Sequence, residues 1–230
     1  VLRNIINSLA QMINFIPIFP LNIVVFPGEQ LNLHIFEPRY KQLINECLKD
    51  GKPFGIPSVL KSKIEEYGTL MEITDLVKEY DNGELDIRTR GLKVFRVLEV
   101  VSELPEKEYS GAIVDYPPNV MEHGETKISK IILDEVKRLY ALLNVEEKFP
   151  AHLEGMISYE VGHYVGLSRQ QEYELLCILT EVQRLEYIRR HLHQMVPMLK
   201  ELEEMKARIQ RNGHFRNLSL DDFSLGRENE

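Results

Sequence analysis

The period of the apolar positions changes near the middle of this chain. Up to Tyr116, short apolar runs are separated by turn residues. Beyond Pro117-Pro118 the apolar residues recur at helical spacing. Residues 16–26 are rich in β-branched and aromatic side chains, with prolines near both ends and at Pro20, which predicts an edge or bulged strand. Residues 31–35 alternate and predict a second short strand. Pro38 then sits where a helix can begin, because the first helical N–H has no partner to lose. Tyr40, Leu43, Ile44, Cys47 and Leu48 follow at helical spacing, and Gly51 can stop the helix in the left-handed conformation.

Residues 53–60, 68–80, 84–90, 92–101 and 109–116 predict further strands. Asn82-Gly83 lies between two of them and is a strong hairpin signal, because both central turn positions need positive φ. Gly91 interrupts the next run and marks a bulge or bend. Short strands at this spacing predict a closed or half-closed barrel.

The second half predicts a helical bundle. Ile128, Ile131, Ile132, Val136 and Leu139 make one amphipathic helix, and residues 150–165 a second. Ser168 with Gln171 three residues later is the pairing of a capping box and opens a third. The last helix runs over residues 181–210, with Leu185, Ile188, Leu192, Met195, Leu199, Leu202 and Ile209 on a heptad seam broken at Lys206. That seam is expected to be buried within the bundle, with homo-oligomerisation through the long helix as the other outcome, and Pro197 is expected to kink it. The expected architecture is therefore α+β. Residues 1–14 form an extension, 15–117 a β-barrel subdomain, 118–211 a helical subdomain, and 212–230 a polar, disordered tail. The first residue is Val, and residues 1–11 are read as sequence ahead of Met12.

Composition narrows the chemistry. A net charge of −8 and a pI of about 5.5 disfavour nucleic acid, which needs clustered Lys and Arg to displace counterions. The two cysteines, Cys47 and Cys177, both fall in apolar helical patterns and read as small buried hydrophobes rather than a disulfide framework. The most apolar stretch, residues 12–27, is interrupted by three prolines and is too short to span a bilayer, and no signal-peptide pattern precedes it; the expectation is a cytoplasmic protein. No phosphate-binding loop and no G-x-S-x-G elbow occur. Glu160 and His163 share a helical face, but the second Glu-x-x-His of a di-metal site is missing, so no metal and no cofactor are expected.

The run Ile16-Pro17-Ile18-Phe19-Pro20-Leu21-Asn22-Ile23-Val24-Val25-Phe26-Pro27-Gly28, followed by Phe36-Glu37-Pro38-Arg39-Tyr40, resembles the opening of Lon protease amino-terminal, substrate-binding domains. Gly68-Thr69-Leu70-Met71-Glu72-Ile73, the hairpin around Asn82-Gly83 and Gly91-Leu92-Lys93-Val94-Phe95 are similar to later strands of that family, although many members carry Arg at the position of Lys93. Gln183-Arg184-Leu185-Glu186 matches more loosely. The resemblance implies a PUA-like β-barrel packed on a helical bundle with a long C-terminal helix, and a role in gripping polypeptides without the ATPase or the Ser-Lys peptidase of Lon. It singles out Pro20, Leu21, Pro27, Phe36, Glu37, Arg39 and Tyr40 as motif residues. Physics assigns these mainly to scaffolding: Phe36 and Tyr40 are expected to pack on the barrel, and Glu37 lies where the helix dipole favours an anion. The groove between barrel and bundle is the expected binding surface. The expected function is a non-catalytic polypeptide-binding module in protein quality control or as an adaptor. The alternatives are RNA binding, as in other PUA-like barrels, and a hydrolase using Glu160 or His163.

Overall fold

The computed structural model describes residues 14–120, 127–149 and 158–211. Six strands come first: β1 (Asn14–Pro17), β2 (Gln30–Ile35), β3 (Phe54–Leu60), β4 (Lys63–Glu79), β5 (Leu85–Val101) and β6 (Gly111–Asp115). Helix α1 (Pro38–Asp50) lies between β2 and β3. The second half supplies α2 (Lys127–Leu142), the short α3 (Ser158–Val161), α4 (Arg169–Cys177) and α5 (Glu181–Arg211).

All pairings between named strands are antiparallel, in the order β1-β6-β5-β4-β3, with β2 attached to the first half of β5. The two 17-residue strands β4 and β5 form the spine. Their pairing shifts register three times, and at the first shift Leu70 opposes Lys93 while Met71 opposes Gly91, so Leu92 is the extra residue of the bulge foreseen at Gly91. A Cβ at Gly91 would collide with the Phe26 carbonyl, which explains the glycine.

The paired strands form an open path rather than a closed sheet, with β1 and β3 at its two ends. Past Pro17 the chain crosses from one end to the other. Ile18 faces Gly55 and Leu21 faces Ser58 in isolated parallel bridges. The Phe19 N–H donates to the Gly55 carbonyl at 2.8 Å, and the Val59 N–H to that of Leu21 at 2.8 Å. The strand expected over residues 16–26 is thus only four residues long. Ile18 still donates its N–H to the Ser110 carbonyl at 3.0 Å, and from Phe19 onward the bonds go to β3 instead, with Pro20 having no N–H to give.

Two of the apolar clusters fix the parts. Phe19, Val25, Ile35, Phe54, Ile56, Met71, Leu85 and Ile87 fill the sheet interior beneath Tyr40, Leu43, Ile44 and Cys47 of α1. Leu43 and Ile44 are fully buried, each contributing about 1.5–3 kcal/mol. A second cluster joins Val24, Phe26 and Val94 from the β half to Ile132, Val136, Leu175, Leu185, Ile188 and Leu192 of the helices. The two halves therefore share a core.

The helical expectations hold at their ends and change in the middle. Ser168 and Gln171 make the capping box on α4. The helix expected over residues 150–165 is an α turn at Ser158–Val161 and a 3-10 turn at Gly162–Tyr164, while 150–157 lie outside the described residues. Helix α5 is continuous through Pro197. Its seam is buried at Leu185, Ile188 and Leu192 and then surfaces, with Leu202 46% exposed. The extension up to residue 13 and the tail from 212 also lie outside the described residues.

Candidate functional site

The motif residues divide into scaffold and surface. Tyr40 is buried and stacks on Phe19, ring centroids 3.9 Å apart. Pro20 and Leu21 are half-buried where the chain crosses to β3, and Pro27 is buried ahead of the Gly28 turn. Glu37 is the N-cap of α1, but its side chain caps nothing; it pairs with Arg39 at 2.7 Å on the surface. Phe36 departs from expectation. It is 59% exposed because it continues the outward parity of β2 before α1 begins, and it faces His34 at 6.1 Å.

Strand β2 presents one uncovered stretch of backbone. Its odd residues Leu31, Leu33 and Ile35 point to the core, and Gln30, Asn32 and His34 point out. Six consecutive residues pair with β5 without a register shift. The ladder begins where the Gly91 N–H donates to the Glu29 carbonyl at 2.9 Å, and the Leu31 carbonyl accepts from the Thr89 hydroxyl at 2.8 Å. Antiparallel alternation then turns the N–H and C=O of Gln30, Asn32 and His34 away from β5. Among the described residues, no other strand pairs with β2 on that side.

Beside this edge, the outer face of β2, β5 and β4 carries a shallow groove of about 300 Å³ lined by Asn32, His34, Val77, Asp86 and Arg88. His34 is held by Asp86 at 2.7 Å and Glu84 at 3.3 Å, and the Tyr80 hydroxyl donates to Asp86 at 2.8 Å. These contacts keep the Asp86 carboxyl below its usual range, His34 and Tyr80 being the main causes. The cluster contains no nucleophile set against a base. Among the described residues, no group of three or more His, Cys, Asp or Glu is placed to hold a metal ion.

The junction between sheet and helices, the surface expected from sequence, is filled and clasped. Phe26 stacks on Tyr159 at 5.1 Å, and a Cβ on Gly162 would strike the Phe26 ring. His163, named with Glu160 in the hydrolase alternative, bridges Glu29 at 3.1 Å and Glu172 at 2.8 Å. Burial pulls its imidazole pKa down, but the two carboxylates outweigh burial and push it up to about 9.

Sequence reasoning missed the buried Arg184. Its side chain has no solvent exposure. Its guanidinium donates to Glu181 at 2.8 Å, Asn119 at 2.8 Å, the Ser158 hydroxyl at 2.8 Å, and the carbonyls of Ile178 at 2.8 Å and Val120 at 2.7 Å. The Glu181 carboxylate in turn accepts from the Ser158 N–H and hydroxyl. One side chain thus ties the segment after β6 to α3 and to the turn between α4 and α5. The signal was available: Glu181, Arg184, Leu185, Ile188 and Leu192 lie on one helical stripe.

An antiparallel sheet thus shares its core with helices and carries an open strand edge beside a shallow groove. The chain belongs to the ATP-dependent protease La (LON) substrate-binding domain family, whose model matches residues 16–194. Among solved structures, a Lon N-terminal domain protein from Xanthomonas campestris is similar at 25% identity, with a TM-score of 0.58, covering 76% of this chain and 96% of that one. The N-terminal domain of the Mycobacterium avium complex Lon protease has the same fold, with 15% identity, a TM-score of 0.59, and coverage of 79% and 100%.

Proposed function

We propose that this chain is a non-catalytic polypeptide-binding module of the cytoplasm, acting in protein quality control or as an adaptor. The observation that carries the reading is the β2 edge that no described strand covers, beside an open groove, on a chain of a substrate-binding family. The scaffold is read as a PUA-like barrel, which the parallel bridges from Ile18 and Leu21 to β3 support by joining the two ends of the sheet path. The chemistry of the side chains supports a binding rather than a catalytic role. Burial pushes the Cys47 thiol up to about 12 and the Cys177 thiol up to about 11, so both stay protonated and poorly nucleophilic at neutral pH. The motif residues Pro20, Leu21, Pro27 and Tyr40 act as scaffold, and Phe36, with the surface pair Glu37 and Arg39, is exposed to a ligand.

The test is fluorescence anisotropy with a labelled, reduced and alkylated polypeptide that cannot fold, titrated with the intact chain. Saturable binding, not competed by the same polypeptide in its native, disulfide-bonded form, is the expected result. Failure to bind, or equal competition by the folded form, overturns the reading.

A further inference from the structure

The geometry points to strand addition: the free edge of β2 takes an extended polypeptide whose apolar residues cover Leu31 and Leu33 and whose basic residues face Glu84 and Asp86. This rests on the polypeptide-binding reading and gives it a surface and a substrate class.

The first support is the backbone. Gln30, Asn32 and His34 each turn an N–H and a C=O outward, three donor–acceptor pairs at a spacing that another strand matches. Folded proteins normally blunt such an edge with a proline, an inward charge, a lysine or a bulge. The sequence Gln30-Leu31-Asn32-Leu33-His34-Ile35 holds no proline and no lysine, and its pairing with β5 has no bulge. The other open stretches are blunted in those ways: residues 72–79 of β4 carry Lys78 and two register shifts, β1 ends in Pro17, and the chain after β1 lies along β3.

The second support is alternation. Leu31 and Leu33 belong to the sheet's apolar core but are only partly buried, whereas Ile35 on the same face is 1% exposed. A guest strand would complete their cover with every second residue. Its other residues would fall on the outer face beside His34. There Arg88 and Arg90 are already paired with Asp75 at 3.3 Å and Glu72 at 2.7 Å, while Glu84 and Asp86 set two carboxylates against one imidazole, in a chain of net charge −8, and that balance favours a basic guest side chain near His34. Exposed Phe36 stands at the end of the same edge, where an apolar guest residue can rest on its ring.

The experiment uses the intact chain and a labelled ten-residue peptide of alternating Val and Lys, read by anisotropy. Three perturbations are compared. Asn32→Pro deletes one outward N–H while keeping the β5 ladder, as edge prolines do; it is expected to weaken binding at least tenfold with an unchanged melting temperature. N-methylation of all Lys residues, or of all Val residues, is expected to abolish binding in one of the two patterns only, since successive N–H groups of a strand point to opposite sides. Replacing Lys by Glu in the peptide is expected to weaken binding at least tenfold. Equal effects of the two methylation patterns, or tight binding by Asn32→Pro, overturn strand addition; equal affinity for the Glu peptide overturns the basic preference. If the unfolded polypeptide still binds in those cases, polypeptide binding stands without this edge. If neither probe binds, both inferences fail.

Discussion

Replacing Arg184 by Met tests how the helical half is held. The substitution keeps most of the aliphatic stem but removes every donor of the guanidinium. It strands the Glu181 carboxylate, 5% exposed, with Ser158 as its remaining donor, and it leaves the carbonyls of Val120 and Ile178 short of a partner. Removing one member of a buried ion pair costs about 3–5 kcal/mol, because the other charge stays uncompensated. With an m-value of about 2 kcal/mol/M, a loss of about 4 kcal/mol moves the urea midpoint down by about 2 M. The second variant decides the cause. Adding Glu181→Gln removes the stranded charge, so the double variant is expected to recover at least about 1 kcal/mol over Arg184→Met alone. Urea melts followed by circular dichroism give all the values. A loss below about 1 kcal/mol for Arg184→Met, or a double variant weaker than the single, refutes the claim that this pair organises the helices.

Three further outcomes follow from the packing. The folded His163 pKa of about 9 lies above its ordinary value of 6.5, so its stabilisation is fully present below pH 6.5 and fades as pH rises through 9. A third of the side chain is exposed, which discounts the effect to about 1–2 kcal/mol; thermal melts from pH 6 to pH 10 should show that loss in the native chain and a flatter profile in His163→Gln. Within the shared motif, Tyr40→Ala should cost about 3–5 kcal/mol while Phe36→Ala stays within about 0.5 kcal/mol, measured by chemical denaturation; equal costs would mean the scaffold and surface roles are misassigned. Gly68→Ala should destabilise by more than about 2 kcal/mol, because its Cβ would meet the Ile56 carbonyl and the Pro57 backbone across β3, and a neutral melt would contradict that approach.

Local signals in the sequence located most elements. Pro38 and Gly51 bounded α1, and Ser168 with Gln171 opened α4, because caps act through neighbouring backbone and need no tertiary context. Gly91 marks the bulge as an interruption of the strand pattern, although the contact that requires it, with the Phe26 carbonyl, is tertiary. The start of β4 was placed too late, because Lys61 and Ser62 make the turn at positive φ without the glycine or asparagine that advertises one. The family motif identifies the fold, but the four-residue spacing to Tyr40 places Phe36 on the barrel, whereas its outward parity on β2 depends on where α1 begins. Arg184 escaped notice because a charged helical residue ordinarily reads as surface, and its burial depends on Asn119, Ser158 and Glu181 arriving from separate segments. The free edge of β2 was invisible for a related reason. A strand's pattern records which face is buried but not whether a neighbour lies on either side.

Hydrogen exchange at β2 tests the binding claim most directly. In the free chain the outward amides of Asn32 and His34 should exchange much faster than those of Leu31 and Leu33, which pair with β5. Saturation with the unfolded polypeptide should slow Asn32 and His34 at least tenfold and leave Leu31 and Leu33 unchanged. Exchange at Asn32 and His34 that is already slow in the free chain, or that does not respond to bound polypeptide, would contradict recognition through this edge.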